Sequence, residues 1–338
     1  MAPVGAPDDP IHVTHPARPI RLAELGELAA PLLARCRFPA AGTPVTCAVS
    51  GGPDSLALLA LAVAAGCEVT AMHVDHGLRP GSDAEADVVA AVAAALGAGM
   101  RRAKVDVGAG PNLEARARAA RHGALPPGAL LGHTADDQAE TMVLNLLRGA
   151  GLDGLAGMPA DDRRPNLGLR RSETVALCAA LGLDAVLDPS NDDPAFRRNR
   201  VRHEVLPLLS DVAGRDIVPV LARQAHLIRE ATDLLGGEAA ALDVTDAAAL
   251  SAAPLALARL AVRTWLRACS AEGHPPDAAA VDRVLAVARL EQRATDVGQG
   301  WRIERTQGRL RLVPPADHLV PPADDLVPRA VPARPPVR

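Results

Sequence analysis

From residue 45 to residue 147, short apolar runs alternate with helix-like patterns, and nothing else in the chain restricts its fold as much. Val45–Val49, Glu68–Val74, Arg102–Val107 and Ala129–Leu131 read as strands. Leu56–Ala65, Ala84–Leu96, Leu113–Ala124 and Ala135–Leu147 read as the helices that follow them. Parallel strands need crossovers of about this length, so the pattern predicts an α/β fold: a parallel sheet with helices on both faces. In such sheets ligands settle beyond the carboxyl ends of the strands. The character changes near Pro207. Asp216–Leu235, Leu255–Ala271 and Ala278–Leu290 read as helices, and Trp301–Arg305 with Arg309–Val313 as a hairpin turned by Gln307-Gly308. The expected organisation is a loose leader over 1–20, an α/β domain over 21–207, a smaller mainly α-helical domain over 208–313, and a disordered Pro-rich tail over 314–338.

With 338 residues and a net charge of −4, the chain is not a globally basic nucleic-acid binder, although a local basic patch is allowed. Phe38, Phe196, Trp265 and Trp301 are its only aromatic residues, so stacking of bases on exposed rings has few candidates. Cys36, Cys47, Cys67, Cys178 and Cys269 form no CxxC pair and lie mostly in apolar runs, as buried reduced thiols do. The N-terminus has no apolar signal core, and Leu56–Ala65, the longest apolar stretch, is about half of what a membrane span requires. A soluble, cytoplasmic protein with no membrane partner is expected.

Ser50-Gly51-Gly52-Pro53-Asp54-Ser55 lies between the first strand and its helix. Two glycines let the backbone turn sharply and approach a phosphate. Pro53 suits a first helical position, where its missing N–H costs nothing. The free amides of the helix start attract an anion, and the serines add hydroxyl donors. Asp54 would repel a bare phosphate, which suggests a bridging Mg²⁺. No GxxxxGK[ST] is present, so this is not a Walker A loop. The segment resembles the SGGxDS signature of PP-loop ATP pyrophosphatases, which cleave ATP between its α- and β-phosphates.

Four further segments carry candidate chemistry. His73 and His76 follow the second strand in spacing that does not suit zinc; they are either locally satisfied strand-end residues or a wall of an adenosine pocket. His133-Thr134-Ala135-Asp136-Asp137-Gln138-Ala139-Glu140-Thr141 ends the fourth strand and opens the next helix. Thr134 can cap that helix with Asp137 at the third position. Asp137 and Glu140, three apart, share a face that either holds Mg²⁺ or a cationic substrate, or is a plain acidic turn. Glu114 and Arg118, four apart, form either a surface ion pair or an arginine contact to phosphate or RNA. Arg197, Arg198, Arg200 and Arg202 fall within seven residues of a net acidic chain. Guanidinium groups match phosphate bidentately; a solvated helix face is the alternative.

Taken in order, these segments are similar to the tRNA(Ile)-lysidine synthetase family. Its pattern is SGGxDS, then HVxHGLR, then NxE…R, then HxxDDxxET with RGxGLxGLxGM, then DxSN…RNRxRH. The chain supplies them as Ser50–Ser55, His73–Arg79, Asn112–Arg121, His133–Thr141 with Arg148–Met158, and Asp188–His203. The resemblance is strong over about residues 42–210 and weak beyond, and the chain looks like the short form of the family.

The resemblance implies that 21–207 is the ATP-binding catalytic domain and that 208–313 contacts tRNA. ATP would adenylate the C2 oxygen of cytidine 34 in the CAU anticodon of tRNA(Ile), and L-lysine would then displace AMP to give lysidine. With the readings above, Asp54, Asp137 and Glu140 become catalytic candidates, with Asp54 and Asp137 also candidates for Mg²⁺. Ser50, Gly51, Gly52, Pro53, Asp54, Ser55, His73 and His133 become candidates for ATP. Arg116, Arg118, Arg121, Arg148, Arg198, Arg200 and Arg202 become candidates for phosphates of the substrates. Oligomeric state is open, a homodimer being one arrangement.

The connection from Met158 to Arg171 departs from the pattern. It is short and carries Asn166 where an apolar residue is expected, which puts its packing in question. Among rival readings, a thiolase of the iron–sulfur type lacks its CxxC pairs here. An amidotransferase lacks room for a glutaminase domain. A non-catalytic nucleotide sensor leaves the Asp137/Glu140 face and the arginine segment without a purpose.

Overall fold

A computed structural model of the chain describes residues 19–75, 82–106, 108, 116, 119–120, 123–186, 193–269 and 276–314. The leader over 1–18, His76–Arg79, most of 107–122, Asp188–Asn191 and the tail from 315 lie outside the described residues.

The chain divides into two compact units, Met1–Glu230 and Ala231–Arg338. The first begins with α1 (Leu22–Leu33), which the sequence reading passed over, and continues through β1 (Pro44–Ala48), α2 (Pro53–Ala64), β2 (Glu68–Asp75), α3 (Ser82–Ala95), β3 (Gly99–Lys104) and β4 (Leu130–Leu131). The four strands form one sheet in the order β3-β2-β1-β4, with every pair parallel. The α/β class expected from the alternation is the class observed. β3 starts three residues before the predicted Arg102. It is an edge strand with little buried surface, so no apolar run marks it, and its charged Arg101, Arg102 and Lys104 suit an unpaired edge.

α2 is the centre of this unit. Residues Ser55 to Ala62 are all buried, and the helix is apolar around its whole circumference, as a helix covered on every side must be. It packs with Leu25, Cys47, Val89, Leu177 and Cys178 in one core. Burial pushes the Cys47 and Cys178 thiols up to about 12, so these are inert packing residues.

From β1 the chain winds outward through β2 and β3, then crosses back to place β4 on the other side of β1. The crevice between the carboxyl ends of β1 and β4 is therefore the switch point at which a doubly wound sheet binds ligands. Both chain segments leaving that crevice enter helices, α2 and α4 (Ala135–Leu147). Gly132 lets them meet: a Cβ there would lie 2.7 Å from the Asp54 carbonyl oxygen.

After α4 come α5 (Leu152–Leu155), a short 3-10 turn (Pro165–Gly168) and α6 (Arg171–Ala180). The glycine-rich stretch after α4 folds back on that helix. The Gln138 side chain donates to the Met158 carbonyl at 3.0 Å and accepts from its N–H at 2.8 Å, while Asn145 donates to the Gly154 carbonyl at 2.8 Å. Asn166 is fully buried in the 3-10 turn and accepts a weak thiol contact from Cys36 at 3.8 Å.

A helical run follows: α7 (Arg197–Arg200), a π turn (Val201–Val205) and α8 (Leu206–Ala213). α9 (Val218–Ala240) begins in the first unit, where Val218 packs with Val201 and Leu206 against Ala135, Ala139 and Val143 of α4. Helical character thus starts inside the first unit, which explains why the change seen near Pro207 precedes the division between units.

The second unit holds α10 (Ala247–Ala252), α11 (Leu255–Cys269) and α12 (Ala278–Ala288) against an antiparallel sheet of β5 (Ala294–Gly298), β6 (Trp301–Thr306) and β7 (Arg309–Val313). Its core joins Leu250, Val262, Val284, Ile303 and Leu310. Gln307 and Gly308 both have positive φ, +48° and +77°, as a tight hairpin turn requires. β5 escaped the sequence reading because Asp296 and Gly298 interrupt its alternation. Among the described residues no helix is long and apolar enough to cross a membrane.

Candidate active site

The Ser50–Ser55 loop leaves β1 and turns at Gly51, where φ is +94° and a Cβ would press on the Val186 side chain at 3.0 Å. Only glycine fits there without strain. Gly52 is different. It is the extended N-cap of α2, and a Cβ on it would meet nothing nearer than the Ser50 hydroxyl at 3.9 Å. Among the described residues no other atom comes that close, so a glycine there keeps the loop open to an approaching group. Pro53 is the first residue of α2. The Ser55 hydroxyl locks the turn, donating to the Gly52 carbonyl at 2.8 Å and accepting from the Ser50 N–H at 3.2 Å. His73, buried on β2, holds the end of β1 by donating from Nδ1 to the Val49 carbonyl at 2.9 Å.

Thr134 and Asp137 cap α4. One Asp137 oxygen accepts from the Thr134 N–H at 2.8 Å and from its hydroxyl at 3.0 Å. This leaves the other oxygen facing α2 and α6. Asp54, on the first turn of α2, and Glu140, one turn along α4, face the same space. Three guanidiniums fill it. Arg171 donates to Asp54 at 3.1 Å, to Asp137 at 3.0 Å and to Glu140 at 3.1 Å. Arg198 donates to Asp137 at 3.0 Å and to Glu140 at 2.6 Å. Arg202 donates to Glu140 at 2.7 Å. Glu140 is completely buried, and this set of charged partners is what makes its burial tolerable.

Burial pushes the Asp137 carboxyl up, but the Arg171 and Arg198 guanidiniums outweigh it, with help from His133 and the Thr134 N–H, and hold it below the usual range. For Asp54 burial prevails over the Thr174 hydroxyl and Arg171, and its carboxyl is raised. The same carboxylates keep Arg171 firmly charged by raising its pKa against burial.

Beside this network lies a cavity of about 190 Å³ lined by both signs of charge: Asp136, Glu140 and Asp216 against Arg170, Arg171 and Arg202. Arg170 spans Asp136 at 3.0 Å and Asp216. Arg170 and Arg171 were not singled out in the sequence. A usable signal was there: Glu173 reaches back to the Arg170 N–H at 2.8 Å, a capping arrangement visible as Arg-Arg-Ser-Glu ahead of a helical apolar pattern.

The structure therefore brings together Asp54, Asp137, Glu140, Arg198 and Arg202, with the rest of the Ser50–Ser55 loop and His133 adjoining. Arg200 points elsewhere, paired with Glu204 at 2.9 Å on the surface. Arg148 is exposed at the far end of α4 and touches the Asn145 side chain at 3.4 Å. Arg116 donates to the Gly108 carbonyl at 2.6 Å. Asn112, Glu114, Arg118 and Arg121 lie outside the described residues.

Asp54 and Asp137 do not fit Mg²⁺ in this arrangement. Asp54 gives its two oxygens to Thr174 and Arg171, and Asp137 gives its two to Thr134 and to Arg171 with Arg198. Among the described residues no group of three or more His, Cys, Asp or Glu is placed to hold a metal ion.

A family model for a PP-loop domain matches residues 37–209. The tRNA(Ile)-lysidine synthase of Nocardia farcinica is 47% identical over 247 residues, covering 68% of this chain and 77% of that protein. The enzyme of the same name from Rhodococcus erythropolis is 46% identical, covering 66% of this chain and 73% of that protein. That of Mycobacterium bovis is also 46% identical, over 67% and 75% of the two chains. With the matched PP-loop region spanning the sheet, the open glycine loop and the carboxylate–arginine cluster, the chain belongs to the tRNA(Ile)-lysidine synthase family.

Proposed function

We propose that this chain ligates free lysine to C2 of cytidine 34 in the CAU anticodon of tRNA(Ile), using ATP. The observation that supports the reading is the bridging, through Arg171, of Asp54 of the SGGPDS loop to Asp137 and Glu140 at the sheet's switch point. In the first step the C2 oxygen of cytidine attacks the α-phosphate and pyrophosphate leaves. In the second the lysine ε-amine attacks C2, loses a proton, and AMP leaves.

The N-terminal amides of α2 and the open face of Gly52 suit the ATP phosphates, where charge develops as pyrophosphate departs. His133 serves as a wall of the nucleotide pocket, while His73 braces the end of β1 from within the core. Lysine fits the 190 Å³ cavity by charge: guanidiniums of Arg170, Arg171 and Arg202 for its carboxylate, and the carboxylates of Asp136, Glu140 and Asp216 for its ammonium groups. Its ε-amine has a reference pKa of about 10.4, so deprotonation near pH 7 costs roughly 4–5 kcal/mol and needs an acceptor. Asp137 and Glu140 are the candidates, and the arginines that hold the Asp137 carboxyl low suit it to positioning the lysine. Mg²⁺ at Asp54 and Asp137 would require Arg171 to leave both and Arg198 to leave Asp137.

The test separates the two steps. Pyrophosphate release should depend on tRNA(Ile) and not on lysine, and AMP release should then depend on lysine. Asp137→Asn and Glu140→Gln should each stop lysidine formation, and full activity in both would remove them from the mechanism.

A further inference from the structure

The arginine segment does two jobs, divided by helical periodicity. Arg198 and Arg202, four apart, face inward to Asp137 and Glu140. Arg197 and Arg200 face the other way. With Arg148 they rim a groove of about 320 Å³ whose floor is Leu144, Val201 and Val205 and whose lip is Leu147. Among the described residues no acidic side chain lines it. Leu147 is 70% exposed in the first unit, and its neighbour Leu146 is 62% exposed. Apolar surface of this kind, edged by one sign of charge, marks a contact surface.

We propose that this groove is a nucleotide subsite for an unpaired nucleotide flanking the reacting cytidine, with the base on the apolar floor and its phosphates on Arg148, Arg197 and Arg200. The proposal rests on the tRNA reading above and extends it. Three observations favour RNA over a protein partner. The charged residues of the rim are three arginines, of which Arg200 pairs with Glu204, and guanidinium forks fit phosphate. The volume is at the small end for ligand sites, enough for one base but not for a helix laid along it. The same two elements build both sites: Glu140 and Arg148 lie eight residues apart on α4, about 12 Å at 1.5 Å per residue. A single strand with its cytidine at the cluster therefore passes the groove. Bases usually stack on aromatic rings; in a chain with two Phe, two Trp and no Tyr, guanidinium planes and leucine supply the platform. The surface pair of Arg200 with Glu204 exchanges readily for phosphate, because an exposed ion pair holds its partners weakly.

The test uses the full chain and tRNA(Ile) carrying the CAU anticodon. Affinity is measured by filter binding across salt concentrations for Arg148→Ala, Arg197→Ala and Leu147→Asp, with ATP affinity as a check on folding. Each arginine variant should lower the slope of log affinity against log salt by about 0.7, the value for one single-strand phosphate contact. Leu147→Asp should weaken tRNA binding about tenfold, while ATP affinity stays at the wild-type value in all three. Unchanged tRNA affinity and slope in every variant overturns the proposal. So does a wild-type dimer that Leu147→Asp splits without altering tRNA affinity, since the groove is then a subunit interface. If wild type itself neither binds nor modifies the tRNA, the functional reading and this inference fall together. If wild type forms lysidine and the variants bind as it does, only the groove fails.

Discussion

Replacing Glu140 with glutamine keeps its shape and removes one charge from a closed set. Asp54, Asp137 and Glu140 balance Arg171, Arg198 and Arg202, and Glu140 accepts from all three arginines while fully buried. The amide turns a donor toward guanidinium N–H groups and leaves one guanidinium in excess. Breaking a buried charge set from one side costs about 3–5 kcal/mol. In a unit of this size each kcal/mol is worth about 2–4 °C, so the first unit should melt about 6–20 °C lower. Arg200→Ala is the control. It comes from the same arginine segment but breaks only an exposed pair with Glu204, and it should leave the melting temperature unchanged. Trp265 and Trp301 both lie in the second unit, so tryptophan emission follows that unit while calorimetry reads the whole chain. A Glu140→Gln loss below about 1 kcal/mol, or an equal loss in Arg200→Ala, would refute the view that Glu140 organises the arginines.

Three further predictions rest on particular residues. Gly52→Ala should fold as wild type, since a Cβ there makes only an ordinary contact with the Ser50 hydroxyl, yet weaken ATP binding in calorimetric titration by tenfold or more; wild-type ATP affinity would show that the phosphates lie elsewhere. Gly51→Ala should instead lower stability, because its φ of +94° and the Val186 contact penalise any side chain, and unaltered urea unfolding would contradict that geometry. Asp137, held below its ordinary 3.8 in the fold, contributes stability that is present above that value and is lost as pH falls through the lower folded value. Asp137→Asn should therefore flatten the loss of stability on acidification below about pH 4, and an acid-unfolding profile matching wild type would count against the ion pairs.

Much of the fold was legible because strands buried on both faces and a helix apolar all round leave continuous runs in the sequence. What escaped were elements defined by their partners. The third strand reads from sequence as Arg102–Val107, and its true start at Gly99 shows only in the register with β2, Thr70 to Gly99 through Asp75 to Lys104. α6 follows a connection that reads as irregular, and its Arg171, the residue touching all three carboxylates, was missed with it. The arginine segment announced positive charge but not its direction. Which arginines turn inward depends on Glu140, far away in sequence, and no local pattern encodes that pairing. Conversely, the glycine-rich stretch after α4 proved to be backbone packing, with Gln138 and Asn145 clamping its turns.

The most direct test of the account is mass spectrometry of tRNA(Ile) after incubation with the protein, ATP and lysine, with each omitted in turn. The account predicts that cytidine 34 gains the mass of lysine less one water only when all three are present, and that Asp137→Asn abolishes the gain. Addition without ATP, addition at another nucleotide, or no addition in the complete mixture would contradict it.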